Sequence, residues 1–248
     1  HFLKTGRLRV ADISAIYPVT QILWGTLFAR LLGFSFGALR LSTVVLAVVG
    51  CWAIYLTLRE LRVSVAGSLA AALTVAWHPV YFALAFTFMT DVPLVGLASV
   101  ALYFYVSAFA RGRAVRLWIG SLVAVAAFLV RPTAIVLPCA ALAGVVWRGG
   151  HAEAARRAAS LGRLRALPPI AAAGIVMAAL GVLLPRMLGP LSGADIRLEW
   201  LHDWFLVTVR EYATWNVNLL HIAVFPLTPL FLATLVERRL AMRVAWVS

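Results

Sequence analysis

Residues 67–109 read GSLAAALTVAWHPVYFALAFTFMTDVPLVGLASVALYFYVSAF: two apolar runs, 67–86 and 91–109, joined at Phe88-Met89-Thr90-Asp91-Val92-Pro93. Each run has the length of the ~20 residues that carry a helix across hydrocarbon. Lipid offers no partner to backbone N–H and C=O groups, so a crossing segment closes its hydrogen bonds internally, as a helix. The stretch therefore predicts two spanning helices with a short turn between them. Its one acid, Asp91, stands at the edge of hydrocarbon, where a carboxylate is costly and normally has a partner or a task.

Working outward, such runs recur along the whole chain. Of its residues, 63% are hydrophobic and 12% charged, with a mean hydropathy of +0.95. A soluble domain is nearer half apolar and a quarter charged. The fold class expected is all-α, a polytopic transmembrane bundle of about seven spanning helices at 41–58, 67–86, 91–109, 115–131, 132–147, 168–187 and 215–236. Pro79 and Pro138 could kink their helices. Residues 19–34 are apolar but short, and carry Gln21, Trp24 and Arg30. They read as an interfacial helix, with a re-entrant or short true span as the alternative.

The net charge of +13 does not point to nucleic acid. The arginines form no basic face or arm; they punctuate the apolar runs, as orientation in a membrane requires. The loops 59–63, 110–116, 148–166 and 237–243 hold 13 of the 22 Lys and Arg residues, so they are placed inside. Residues 1–40, 87–90, the turn at 131–132 and the loop 188–214 then lie outside. Cys51 and Cys139 fall in predicted spans and read as small buried hydrophobes. No CxxC or HExxH occurs, and no metal site is expected. His78 and His221 read as buried, hydrogen-bonded residues. The chain opens His1-Phe2-Leu3-Lys4, without Met or signal peptide, and reads as truncated at the front.

Two residues stand out on the outer side. Asp91 is either an acid at a helix N-terminus favoured by the macrodipole, with Thr90 as a neighbouring cap, or a carboxylate facing an external cavity. Arg131, in Phe128-Leu129-Val130-Arg131-Pro132-Thr133, is either a snorkelling side chain or an anion site. If both line one cavity they should lie within roughly 15 Å of each other. The acid-rich loop 188–214, with Trp200 and Trp204, reads as a solvated loop anchored by tryptophan.

The order of motifs resembles a known group. Thr5-Gly6-Arg7-Leu8 leads to Tyr17-Pro18 and an apolar helix, then to Gly33-Phe34-Ser35-Phe36-Gly37-Ala38-Leu39-Arg40-Leu41-Ser42. Leu58-Arg59-Glu60-Leu61, Met89-Thr90-Asp91-Val92-Pro93 and Leu129-Val130-Arg131-Pro132 follow. Over residues 1 to about 145 this is similar to the membrane glycosyltransferases of the GT-C class, and more closely to the bacterial relatives of protein mannosyltransferase and lipid A aminoarabinose transferase.

Beyond about residue 145 the likeness is only general hydrophobic character, and it is hydropathy and loop charge that give one transmembrane domain over 1–248. Its parts are an outer loop and interfacial helix (1–40), a five-helix core (41–147), a basic cytoplasmic loop (148–166), and two further helices around the outer loop (167–248). The resemblance implies an inverting transferase in a bacterial-type cytoplasmic membrane, with its active side outward, using a polyprenyl-phosphate sugar and an acceptor it does not name. Asp91 falls on the family acid that positions the acceptor or holds a cation or water. Arg131 falls on the family cation beside the donor phosphate. Tyr17 and Arg40 are candidate contacts of the outer cavity; Tyr17-Pro18 stands where a Lys-Pro is usual. The resemblance fixes no cofactor and leaves a divalent cation open. The family base would lie before His1, so the piece by itself is expected to be inactive. A transporter or flippase, and a non-catalytic scaffold or degenerate family member, are the alternatives.

Overall fold

The computed structural model describes residues 18–146 and 163–188, and these are helical with no strand among them. In chain order the helices are α1 (Val19–Leu32), α2 (Phe36–Glu60), α3 (Val65–Ala76), α4 (Pro79–Ala85), α5 (Asp91–Arg111), α6 (Ala114–Phe128), a 3-10 turn (Pro132–Ile135), α7 (Val136–Val146) and α8 (Arg163–Leu188). Local chemistry sets several boundaries. Ser35 accepts the Ala38 N–H at 3.1 Å to cap α2, and Ser64 does the same for Gly67 at the start of α3. α1 stops at Gly33, whose φ of 80° suits glycine. α5 stops at Gly112, left-handed at φ 64°.

Three helices are long and apolar enough to cross a membrane: Phe36–Glu60, Asp91–Arg111 and Arg165–Met187. The expected span 67–86 is instead a broken pair, α3 and α4, bent by 65°. The cause is Pro79, which lacks an N–H and drives His78 out of the helical region to φ −59°, ψ 122°. Counting that pair as one crossing gives three to four spans among the described residues, where six of the seven expected spans fall wholly or largely. The expected spans 115–131 and 132–147 are shorter than crossings. α6 has 15 residues, and the next segment is a four-residue 3-10 turn followed by the 11 residues of α7. The span 215–236, the acid-rich loop 188–214 beyond α8, most of the basic loop 148–166, and His221 lie outside the described residues. Three smaller expectations also change. His78, at the bend, and Cys51 are half-buried, and Cys139 is exposed rather than buried.

α2 and α5 run the same way and pack most extensively. They approach closely because Gly50 faces Gly96: a Cβ on Gly96 would stand 2.6 Å from the Leu46 carbonyl oxygen. Small residues at such a crossing let backbones meet where lipid gives no hydrophobic drive for association. The main core joins α5, α6, α7 and α8 through Tyr105, Leu117, Phe128, Val145, Ile170 and Met177. Two tyrosines stitch neighbours: Tyr105 Oη lies 3.2 Å from Ser121 Oγ, and Tyr81 donates to the Ala47 carbonyl at 3.1 Å. The outer faces keep large apolar side chains such as Trp52, Leu122 and Ile175 exposed, as a lipid-facing surface requires.

The ends of the bundle differ. At one, Arg111 is ion-paired to Glu60, bringing the basic segments 59–63 and 110–116 together. At the other lie the start of α2, the link 86–90 and the segment 129–132, with α1 bonded to all three.

Candidate functional site at the far end of the bundle

α5 begins at Asp91, so the carboxylate sits in a first turn where the helix dipole favours negative charge by about 0.3–1 kcal/mol. α6 ends at Phe128, and the chain tightens through Leu129 and Val130 to reach Arg131, 40 residues after Asp91. Arg131 is then extended, at φ −147° and ψ 135°, as a residue before proline prefers.

These two chain ends meet. Arg131 Nη1 lies 2.9 Å from Asp91 Oδ1, and Nη2 donates to Oδ2 at 3.1 Å. Nε donates to Thr90 Oγ1 at 2.8 Å. Thr90 therefore binds the guanidinium rather than capping α5, and the helix has no side-chain cap. The fork is two-pointed, the geometry in which Arg holds a carboxylate most specifically. Arg131 is 35% and Asp91 37% exposed, so the pair is open on one side. A water-exposed pair contributes about 0.2–1 kcal/mol, and the two-point contact puts this one at the upper end. A guanidinium carries five N–H donors: Nε and Nη2 donate to Thr90 and Asp91, Nη1 is ion-paired with Oδ1, and among the described residues at least one N–H on each terminal nitrogen has no acceptor.

α1 forms the third wall. Thr20 N–H donates to the Leu129 carbonyl at 3.3 Å, Gln21 Nε2 to the Phe88 carbonyl at 2.9 Å, and Trp24 Nε1 to the Ser42 carbonyl at 2.9 Å. Gln21 and Trp24 are one turn apart on one helix face, a spacing that could have marked them as contact residues. Of the other sequence candidates, Arg40 is exposed in the first turn of α2 and no hydrogen bond joins it to the pair; Tyr17 lies outside the described residues. No three His, Cys, Asp or Glu side chains converge among the described residues. Asp91, the one carboxylate at this end among them, has both oxygens on Arg131, unlike the oxygen-rich cage of a hard divalent cation.

The described residues thus form an all-helical bundle with candidate membrane spans, the class of a polytopic membrane protein. Within it, the family model described as dolichyl-phosphate-mannose-protein mannosyltransferase matches residues 18–180, and the chain belongs to that family of membrane glycosyltransferases. The match spans α1 to α7 and most of α8, so Asp91 and Arg131 both fall within it. No curated protein and no solved structure matches the chain.

Proposed function

We propose that this chain forms the donor side of a glycosyltransferase that moves a sugar from a polyprenyl phosphate to an acceptor at the outer face of a bacterial cytoplasmic membrane. An acceptor hydroxyl or amine attacks the anomeric carbon, its bond forms as the bond to the phosphate oxygen breaks, and the configuration inverts. The lipid phosphate leaves with the electron pair. The acceptor proton goes to a general base. Arg131 offers its two unused N–H groups to the departing phosphate, the step at which negative charge grows. Asp91 and Thr90 hold the guanidinium flat and aimed, and Asp91 also lies where it can orient the acceptor.

The observation that supports this reading is the open fork: a cation held by Thr90 and Asp91 and about one-third exposed among the described residues, at the end of the bundle away from the basic segments 59–63 and 110–116. The positive-inside trend supports an outward site. The experiment is Arg131→Ala in the full-length protein. Loss of a charge-assisted phosphate contact is worth about 1.5–3 kcal/mol, so transfer from dolichyl-phosphate mannose should drop at least tenfold at unchanged membrane insertion. Full activity in that variant would remove Arg131 from the reaction. Binding of the donor without any transfer would instead favour a scaffold or flippase.

A further inference from the structure

The contacts at the far end form a closed circuit. Thr20 N–H holds the Leu129 carbonyl, and two residues on, Arg131 holds Thr90 and Asp91. Two residues before Thr90, the Phe88 carbonyl is held by Gln21 Nε2, and Gln21 adjoins Thr20 in the first turn of α1. Gln21 is the one α1 side chain in this circuit. The ring of Phe88 is fixed from the same helix: a Cβ on Gly25 would come within 2.6 Å of Phe88 Cζ. Phe88 is thus gripped by α1 at its carbonyl and at its ring, three residues before Asp91.

The other end of the Gln21 amide sharpens the point. Gln21 is 3% exposed, and its Oε1 is buried without a hydrogen-bond partner. An unsatisfied buried acceptor lowers stability, so a methionine of similar length would serve packing at least as well. What methionine cannot supply is the N–H to Phe88. For folding alone Gln21 is a poor choice; for holding the link 86–90 it is a good one.

We propose that Gln21 is a positioning residue for the Asp91–Arg131 pair. Through the Phe88 carbonyl it sets where Thr90 and Asp91 stand, and so which way the two unused N–H groups of Arg131 face. It touches neither member of the pair and acts through Phe88. This inference rests on the assignment of Arg131 to the donor phosphate.

The test is a double-mutant cycle in the full-length protein, with dolichyl phosphate as the binding probe and thermal midpoint measured in parallel. Gln21→Met should leave the midpoint unchanged or raise it, while weakening dolichyl phosphate binding by about five- to tenfold, the worth of one misplaced hydrogen-bonded contact. Arg131→Ala should weaken binding at least tenfold, and the double variant should bind no worse than Arg131→Ala alone. Normal binding by Gln21→Met overturns the inference. So does a double variant that adds the full Gln21→Met loss to that of Arg131→Ala, or a midpoint that falls in step with affinity. Normal binding by Arg131→Ala overturns the phosphate reading itself, and with it the role given to Gln21. Gly25→Ala is the second variant. It displaces the Phe88 ring with Gln21 intact and should weaken binding in the same way; normal binding there also counts against the inference.

Discussion

At the scale of single residues, the fork makes Arg131 irreplaceable by charge alone. Lysine would keep the positive charge but offer one nitrogen where the guanidinium uses three, so Thr90 and both Asp91 oxygens could not be held together. Arg131→Lys is therefore expected to lose at least tenfold in transfer from dolichyl-phosphate mannose, nearly as much as Arg131→Ala, measured in membranes at matched protein level. Asp91→Asn keeps the shape but turns an amide N–H₂ toward one guanidinium nitrogen. It should cut turnover at least tenfold with the thermal midpoint little changed, because an open pair contributes only about 0.2–1 kcal/mol to stability. A collapse of the midpoint would mark the pair as structural. The sequence made both residues visible, each as a charge out of place at a membrane edge. It could not make the fork visible, since that depends on two backbones 40 residues apart arriving with matched side-chain directions. Thr90 read as a cap because it precedes Asp91 at a helix start; a stronger, charged donor claimed its hydroxyl instead. Gln21 gave only a weak signal, its one-turn spacing from Trp24, and nothing in the sequence tied it to Phe88.

At the scale of elements, the α2–α5 crossing and the end of α2 make separate predictions. Gly96→Val should disturb a close backbone approach, where even a Cβ would meet the Leu46 carbonyl at 2.6 Å. A destabilisation of about 1–3 kcal/mol is expected, read as a lower unfolding midpoint in detergent. Arg62 predicts the opposite sign. It has φ 65°, while Val63 N–H bonds to the Leu58 carbonyl and Arg62 N–H to that of Arg59, the paired bonds of a helix end that glycine normally completes. Arg62→Gly should stabilise by up to about 1 kcal/mol, and a fall in midpoint would show that the guanidinium is needed there. Long elements were legible: α2, α5 and α8 follow from unbroken hydropathy, and the bend follows from Pro79. The early end of α6 was not. Leu129 and Val130 are as apolar as the helix before them, and what turns the chain there is Pro132 acting on Arg131 together with the tie from Thr20.

At the scale of the whole molecule, the charges and the packing agree on two unlike ends. Arg59, Arg62, Arg111, Arg113 and Arg116 gather at one, and the Asp91–Arg131 fork opens at the other. If the basic end is cytoplasmic, a cysteine at Gly150 should be shielded from an impermeant thiol reagent in intact cells, and one at Met89, 52% exposed in the 86–90 link, should be labelled. Native Cys51 and Cys139 would first be replaced; equal labelling would refute the orientation. The closed circuit also has a consequence in time. Ribosomes extend a chain at about 5–20 residues per second, so Asp91 is made roughly 2–8 s before the arginine 40 residues behind it. Through that interval α5 has only its own apolar surface to favour the bilayer, its acid unanswered, with α1 already made and no Leu129 carbonyl yet for Thr20. The fork cannot help insert the helices it joins. It is a late clasp, closed once the last of its three segments has left the ribosome, and a pause in translation before Arg131 would lengthen the life of the open form.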